Sequence, residues 1–188
     1  VQKVEPPSRV HLDIETDDEG IITRAAMTQS SPVDWPTLRP HRIGVGIYST
    51  DHSGALVATE AIELDIDGAS TEIPPLVGLH RGDLVLPNNG DLAYAKIRLD
   101  ADSLAFATEN LKHIADPLAR SLVWGSVWDS TRDAEIPPRT FIELVLANIA
   151  HETESTTVRT SLGQLSLTVR NYLAPAHRAT MLVEVADA

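Results

Sequence analysis

"DLAYAKIRLDADSLAFATENLKH", residues 91–113, holds two periods side by side. Up to Leu99 the residues alternate: Ala93, Ala95, Ile97 and Leu99 share one face, Tyr94, Lys96 and Arg98 the other. That two-residue repeat is the mark of a half-buried strand. From residue 100 the repeat becomes helical, and Asp102 or Ser103 is placed to cap a helix running to about His113. The reading sets two domains, 1–97 built of strands and 98–188 built of helices.

Upstream, the alternation recurs. In "VHLDIE" Val10, Leu12 and Ile14 point one way and His11, Asp13 and Glu15 the other. "IITRAAMTQ" (21–29), "RIGVGIYS" (42–49), "ALVATEAIELDID" (55–67) and "DLVL" (83–86) are further strand candidates. Turn signals part them at Asp17-Asp18-Glu19-Gly20, His52-Ser53-Gly54 and Asn88-Asn89-Gly90. Residues 1–97 carry 16 of the 22 glycines and prolines, and residues 98–188 carry six. Six or seven short strands with nothing helical between them argue a small antiparallel sandwich rather than a parallel sheet.

Downstream, Asp116-Pro117 is an N-cap followed by proline at the first helical position. The helix it opens, "PLARSLVWGSVWDSTRDAE", sets Leu118, Leu122, Val123 and Val127 on one arc and Trp124 and Trp128 on a second. Apolar on two sides, it is expected to pack against two neighbours. Pro137-Pro138 closes it and opens "RTFIELVLANIAHE"; a further helix covers about Thr156 to Leu173, and Ala174-Pro175 starts the last. The fold class expected is α+β: a small antiparallel β-sandwich followed by antiparallel helical hairpins, resembling a truncated α-solenoid. The last helix is still apolar at Met181, Leu182, Val183 and Val185 where the sequence stops, and the opening "VQKVEPPSRVHLDIE" has neither an initiator Met nor a signal-peptide core. Both ends read as cuts in a longer polypeptide. Apolar faces at Leu162, Leu165, Val169, Leu173, Leu182 and Val185 make the helical end a candidate surface for a second copy.

The composition narrows function. With 15 basic and 27 acidic residues the net charge is −12, and no Lys/Arg run supplies a nucleic-acid footprint. There is no cysteine, which excludes disulfides, thiolate metal sites and thiol catalysis and suits the cytoplasm. No apolar stretch nears the roughly 20 residues of a membrane span.

Motifs with chemistry are few. "HETES" (His151 to Ser155) begins like the zinc signature H-E-x-x-H, but Ser155 stands where the second histidine belongs. The bland reading is a histidine at a helix C-terminus with Glu152 and Glu154 in solvent. His11, His41, His52, His80, His113, His151 and His177 are scattered, and no pair has metal-ligand spacing. Gly44-Val45-Gly46 is a dinucleotide-loop start without its third glycine, Ser49 taking that place, and it fits glycines easing close strand packing. The acidic pairs Asp65/Asp67 and Asp133/Glu135 read as solvent-facing charge, and Trp124 and Trp128 as core.

Three stretches together resemble one family. "DLVLPNNGDLAYAKIRLD" (83–100) is similar to the last strands of the third domain of aminopeptidase N-type zinc aminopeptidases. "DPLARSLVWGSVWDSTRDAEIPPRTFIELVLANIAHET" (116–153) resembles the first helices of their C-terminal domain in actinobacterial-type members, and "RPHRIGVGIY" (39–48) a strand of their sandwich. The resemblance implies a zinc held by H-E-x-x-H and a distant Glu, and a G-x-M-E-N loop for the substrate amine, in a peptide-trimming enzyme. Neither motif is in these 188 residues, so no catalytic or metal residue is assigned, and the substrate-facing residues are left unknown. Zinc would belong to the whole enzyme, with none expected in this part. The partners implied are the catalytic domain of the same polypeptide and peptides. The alternatives are a stand-alone interaction module without enzymatic activity, and an enzyme whose site assembles only in space.

Overall fold

A computed structural model describes residues 6–187; the first five residues of the opening segment and Ala188 lie outside it. Seven strands come first: β1 (Arg9–Thr16), β2 (Ile22–Ser30), β3 (His41–Thr50), β4 (Leu56–Ile66), β5 (Ser70–Glu72), β6 (Leu84–Pro87) and β7 (Lys96–Arg98). They form a four-stranded sheet in the order β5-β2-β1-β7 and a three-stranded sheet in the order β4-β3-β6. Alternation does what it promises in β1, where Val10 and Leu12 are buried and His11 is exposed. β3 differs, being buried from Ile43 through Tyr48, so it is covered on both faces.

Three expectations need correcting in this region. A single 3₁₀ turn, Pro74–Leu76, does intervene between strands, and it buries Leu76. β5 was not visible as a strand, because three residues, Ser70–Glu72, are too few to show a period. The strand expected over 91–99 survives only at Lys96–Arg98. Before it, Asn88, Gly90 and Asp91 take left-handed backbone (φ 57, 85 and 55°). The Asn88 amide locks that turn: its Oδ1 accepts from the Ala93 N–H (2.9 Å) and its Nδ2 donates to the Ala93 carbonyl (2.9 Å). A side chain thus replaces the ladder, and the alternation of Ala93 to Ala95 never becomes a strand. β7 also pairs with β1 in parallel, Arg9 opposite Lys96, in a sheet otherwise antiparallel.

Helices follow: α1 (Ala101–Asn110), α2 (Pro117–Arg132), α3 (Pro138–Asn148), α4 (Ser155–Leu167) and α5 (Pro175–Asp187). The cap of α1 is neither Asp102 nor Ser103 but Asp100, whose Oδ1 accepts from both of their N–H groups (3.1 and 3.0 Å). Asp100 is the residue just outside the helix, where an acceptor reaches the second and third orphan donors. Ser103 instead lends its hydroxyl to Asp100 Oδ2 (2.5 Å) and accepts from the Val85 N–H (2.9 Å), tying β6 to the start of α1. Asp116 caps α2 as expected, accepting from the Leu118 N–H.

α2 ends at Arg132, short of Glu135, because the chain turns through Ala134 at φ 60°. Its buried arc contains Ala119, Val123 and Val127, whereas Leu118 is exposed. Trp124 is buried; Trp128 packs on Phe141 of α3 (5.4 Å) and Tyr172 (6.0 Å). α4 widens into a π turn, Thr168–Tyr172, closed by the Leu173 N–H on the Thr168 carbonyl (3.2 Å). That turn buries Val169. Of the apolar faces expected open at this end, Leu165, Val169 and Leu173 are buried, while Leu162 and Leu182 are exposed. The chain divides into two compact units, one ending at Ser103 and the other starting at Leu104. No described helix is long and apolar enough to cross a membrane.

Candidate functional site

The segment that imitates a zinc motif has a different job. α3 runs into a 3₁₀ turn, Ile149–His151, and Glu152 that follows is extended (φ −76°, ψ 130°). α4 does not begin until Ser155. The helix is therefore broken between His151 and Ser155, and two ligands at these positions would not share a helix face. His151 is exposed.

Glu152 is not in solvent as expected: its side chain is 3% exposed, against an Arg120 side chain at 10%. Arg120 Nη2 donates to Glu152 Oε1 (3.1 Å) and Arg120 Nε to Oε2 (3.3 Å). The indole N–H of Trp124, one turn along α2, donates to Oε2 (3.0 Å). The N–H groups of Thr153 and Glu154 close on Oε1 (2.9 and 3.2 Å). Arg120 spends Nη1 on the carbonyls of Ile114 and Ala115 (2.9 and 3.3 Å). Burial pushes the Glu152 carboxyl up, but the Arg120 hydrogen bonds, the Glu154 N–H, the Trp124 indole and the Arg120 charge together hold it below the usual range. Both oxygens are taken up by donors, so this carboxylate is a fixed strut between α2 and the α3–α4 connection, not a base with a free lone pair. The signal available in the sequence was an arginine inside the apolar arc of α2 four residues before a tryptophan.

The other candidates resolve separately. Gly44 and Gly46 pass under the turn at Asn89: a Cβ on Gly44 would stand 2.1 Å from the Asn89 carbonyl oxygen, and one on Gly46 2.8 Å from Asn89 Cγ. Asn89 donates its N–H to the Gly44 carbonyl (3.1 Å) and accepts from Tyr48 Oη (2.6 Å). These glycines make room for a turn, and the segment is strand throughout, with Ser49 near its end. Asp65 pairs with Arg42 (3.3 Å), and Asp67 Oδ1 accepts from the Gly68 N–H. Asp133 and Glu135 sit in the α2–α3 turn, Asp133 as the C-cap of α2. His11 lies between Asp13 (2.7 Å) and Thr28 (2.8 Å) on an exposed sheet face. Among the described residues no three His, Asp or Glu side chains gather into a metal-holding group.

The chain is thus a two-sheet β unit followed in sequence, from an Asp-capped helix onward, by helices strutted by an Arg–Glu pair. The chain belongs to the ERAP1-like C-terminal domain family, whose pattern matches residues 84–186. Its particular likeness is to aminopeptidase N of Streptomyces lividans, with 43% identity over 182 residues, 94% of this chain. The chain spans 21% of that relative's length. The resemblance carried by residues 83–100 and 116–153 is thus to the right family.

Proposed function

We propose that this chain is the non-catalytic C-terminal part of a zinc-dependent aminopeptidase that releases N-terminal residues from peptides. The observation that carries the reading is the 43% identity to an aminopeptidase N over 94% of the chain. The described residues do not fit a zinc site, and neither H-E-x-x-H nor G-x-M-E-N occurs in the sequence. Metal and amine binding would then be supplied by residues outside this chain, and no chemical step is assigned to side chains within it.

The role left to these residues is mechanical. The strand domain, 1–97, braces the catalytic domain, and the helical domain, 98–188, walls the chamber that admits peptides. The end of β7 at Arg98 and the start of α1 at Ala101 support a boundary there. Struts such as Arg120–Glu152 suit a wall, since they fix a helix against the connection between the next two. The enzyme would work in the cytoplasm, without nucleic-acid or membrane partners.

The test is the full open reading frame that contains this chain. Purified, it should release a chromophore from aminoacyl substrates, lose that activity to a chelator and regain it with zinc. The 188-residue chain alone should show neither activity nor stoichiometric zinc. A reading frame without H-E-x-x-H, or activity indifferent to chelation, would overturn the proposal.

A further inference from the structure

α2 and α4 leave a cleft between them. Ser121, Trp124 and Gly125 of α2 line one side, and Thr157, Thr160 and Ser161 of α4 the other. On each helix these residues stand three or four apart, so each set occupies one face. The cleft measures about 160 Å³. Sites for drug-sized ligands run to about 300–1,000 Å³, so nothing of that size fits. An apolar cavity of about 150 Å³ takes up benzene, so this cleft has room for about six non-hydrogen atoms.

Two residues set it apart from an ordinary gap between helices. Gly125 is one. Glycine weakens a helix interior, yet a Cβ at this position would meet nothing within 4 Å, and its backbone is ordinary helix. Neither packing nor backbone geometry asks for glycine there, and the side chain it lacks is what leaves the cleft open. Ser161 is the other. It is 1% exposed and lines the cleft, and among the described residues no partner takes up its hydroxyl. Ser130, Thr131 and Thr168, also buried in the helical unit, each donate to the carbonyl four residues earlier (2.8 Å). A buried hydroxyl left without a partner is costly, so Ser161 marks a place for a polar atom from outside the chain.

The walls restrict the chemistry. No titratable side chain lines the cleft, so a charged ligand would lose its water and gain no counter-charge. Glu152 holds the Trp124 indole N–H (3.0 Å), which fixes that wall, and its two oxygens are already taken by donors. A purely apolar ligand would leave the Ser161 hydroxyl unsatisfied. We propose that the α2–α4 cleft is a binding site for a small neutral polyol of about six non-hydrogen atoms. One of its hydroxyls pairs with Ser161, and its carbon skeleton rests against Trp124. The site uses no zinc and no catalytic residue, and it stands apart from the peptidase reading.

Ligand-observed saturation-transfer NMR on the full-length protein tests this, with glycerol as the probe and glycerate and benzene as its charged and apolar counterparts. Glycerol should give a saturable signal. Gly125→Leu, which fills the cleft with a better helix former, should weaken glycerol binding by about ten-fold. Ser161→Ala, which keeps the cleft open, should weaken it by about three-fold. Urea melts of both variants establish that they are folded. No saturable glycerol signal would mean that the cleft holds water only and would overturn the proposal. A signal that both variants leave intact, or glycerate or benzene bound as tightly as glycerol, would overturn it equally.

Discussion

Arg120 and Glu152 meet at 3.1 Å with their side chains 10% and 3% exposed, across 32 residues of sequence. Removing one partner of so buried a pair strands the other charge. Glu152→Ala is expected to cost about 3–5 kcal/mol, and Arg120→Met with Glu152→Leu together far less than the two single changes added. Urea melts of the native chain, Glu152→Ala, Arg120→Met, Glu152→Leu and the double variant give the answer. A single-variant loss under about 1 kcal/mol would place the pair among surface salt bridges.

The same pair sets a pH dependence. The folded Glu152 carboxyl lies below its ordinary 4.5, so its contribution is complete above that value and is lost as pH falls through the depressed folded value. His41, lowered by burial and by Arg39, destabilises the fold as pH drops below the usual histidine range of 6.5. To cancel that, the quantity measured is the stability gap between the native chain and Glu152→Gln. The gap should be constant from pH 7 down to about pH 5 and shrink below it. A gap that widens on acidification would refute the sign.

Glycine substitutions should divide by sign. Gly44→Ala drives a methyl into the Asn89 carbonyl, and Gly46→Ala meets Asn89 Cγ and Tyr48 Cε2, both at 2.8 Å. Each should destabilise by about 1–3 kcal/mol, the first more than the second. Gly125 in α2 and Gly163 in α4 have nothing within 4 Å of an added Cβ. Alanine there should stabilise by about 0.5–1 kcal/mol, the helix-propensity difference. Thermal melts of the four single variants check the order.

Amide exchange should rank α5 lowest. Met181 is its buried hydrophobic anchor, while Leu182 and Val183 are exposed. Its ties also include Arg178 to the Leu173 carbonyl and Arg139 to Glu184 at 3.6 Å. In the isolated chain α5 amides should exchange at least ten-fold faster than those of β3, which is buried along most of its length. Equal protection would mean that something covers the Leu182 face, and sedimentation would then show whether it is a second copy.

What the sequence made legible was periodic or punctuated. Alternation located β1 to β4, and Asp116-Pro117 and Pro137-Pro138 located two helix starts. What it hid depends on partners remote in sequence. Asn88 takes over Ala93 with its side chain, so the alternation at 93–95 predicted a strand where a turn forms. Glu152 looked like surface charge because the donors that bury it, Arg120 and Trp124, lie a helix away. Asp100 lost the cap assignment to its neighbours because three acceptors stand within four residues, and only backbone geometry chooses among them. The broken H-E-x-x-H, by contrast, was readable from a single residue, Ser155.

The parallel pairing of β1 with β7 bears on how the molecule is made. Arg9 and Lys96 stand at opposite ends of the β unit's sequence, yet they are neighbours in one sheet. A ribosome delivers β1 and β2 early, and their hairpin can close at once. The edge of β1 that β7 will occupy must then wait, its amides unpaired, until nearly the whole unit has emerged. Contacts of such separation are slow to form, because a long loop must close before they reward it. The helical unit is joined mostly between near neighbours in sequence and carries no such delay. Within the β unit the strand that emerges first therefore has its second edge covered last, and the waiting edge of β1 is where a nascent chain of this protein is most open to wrong pairing.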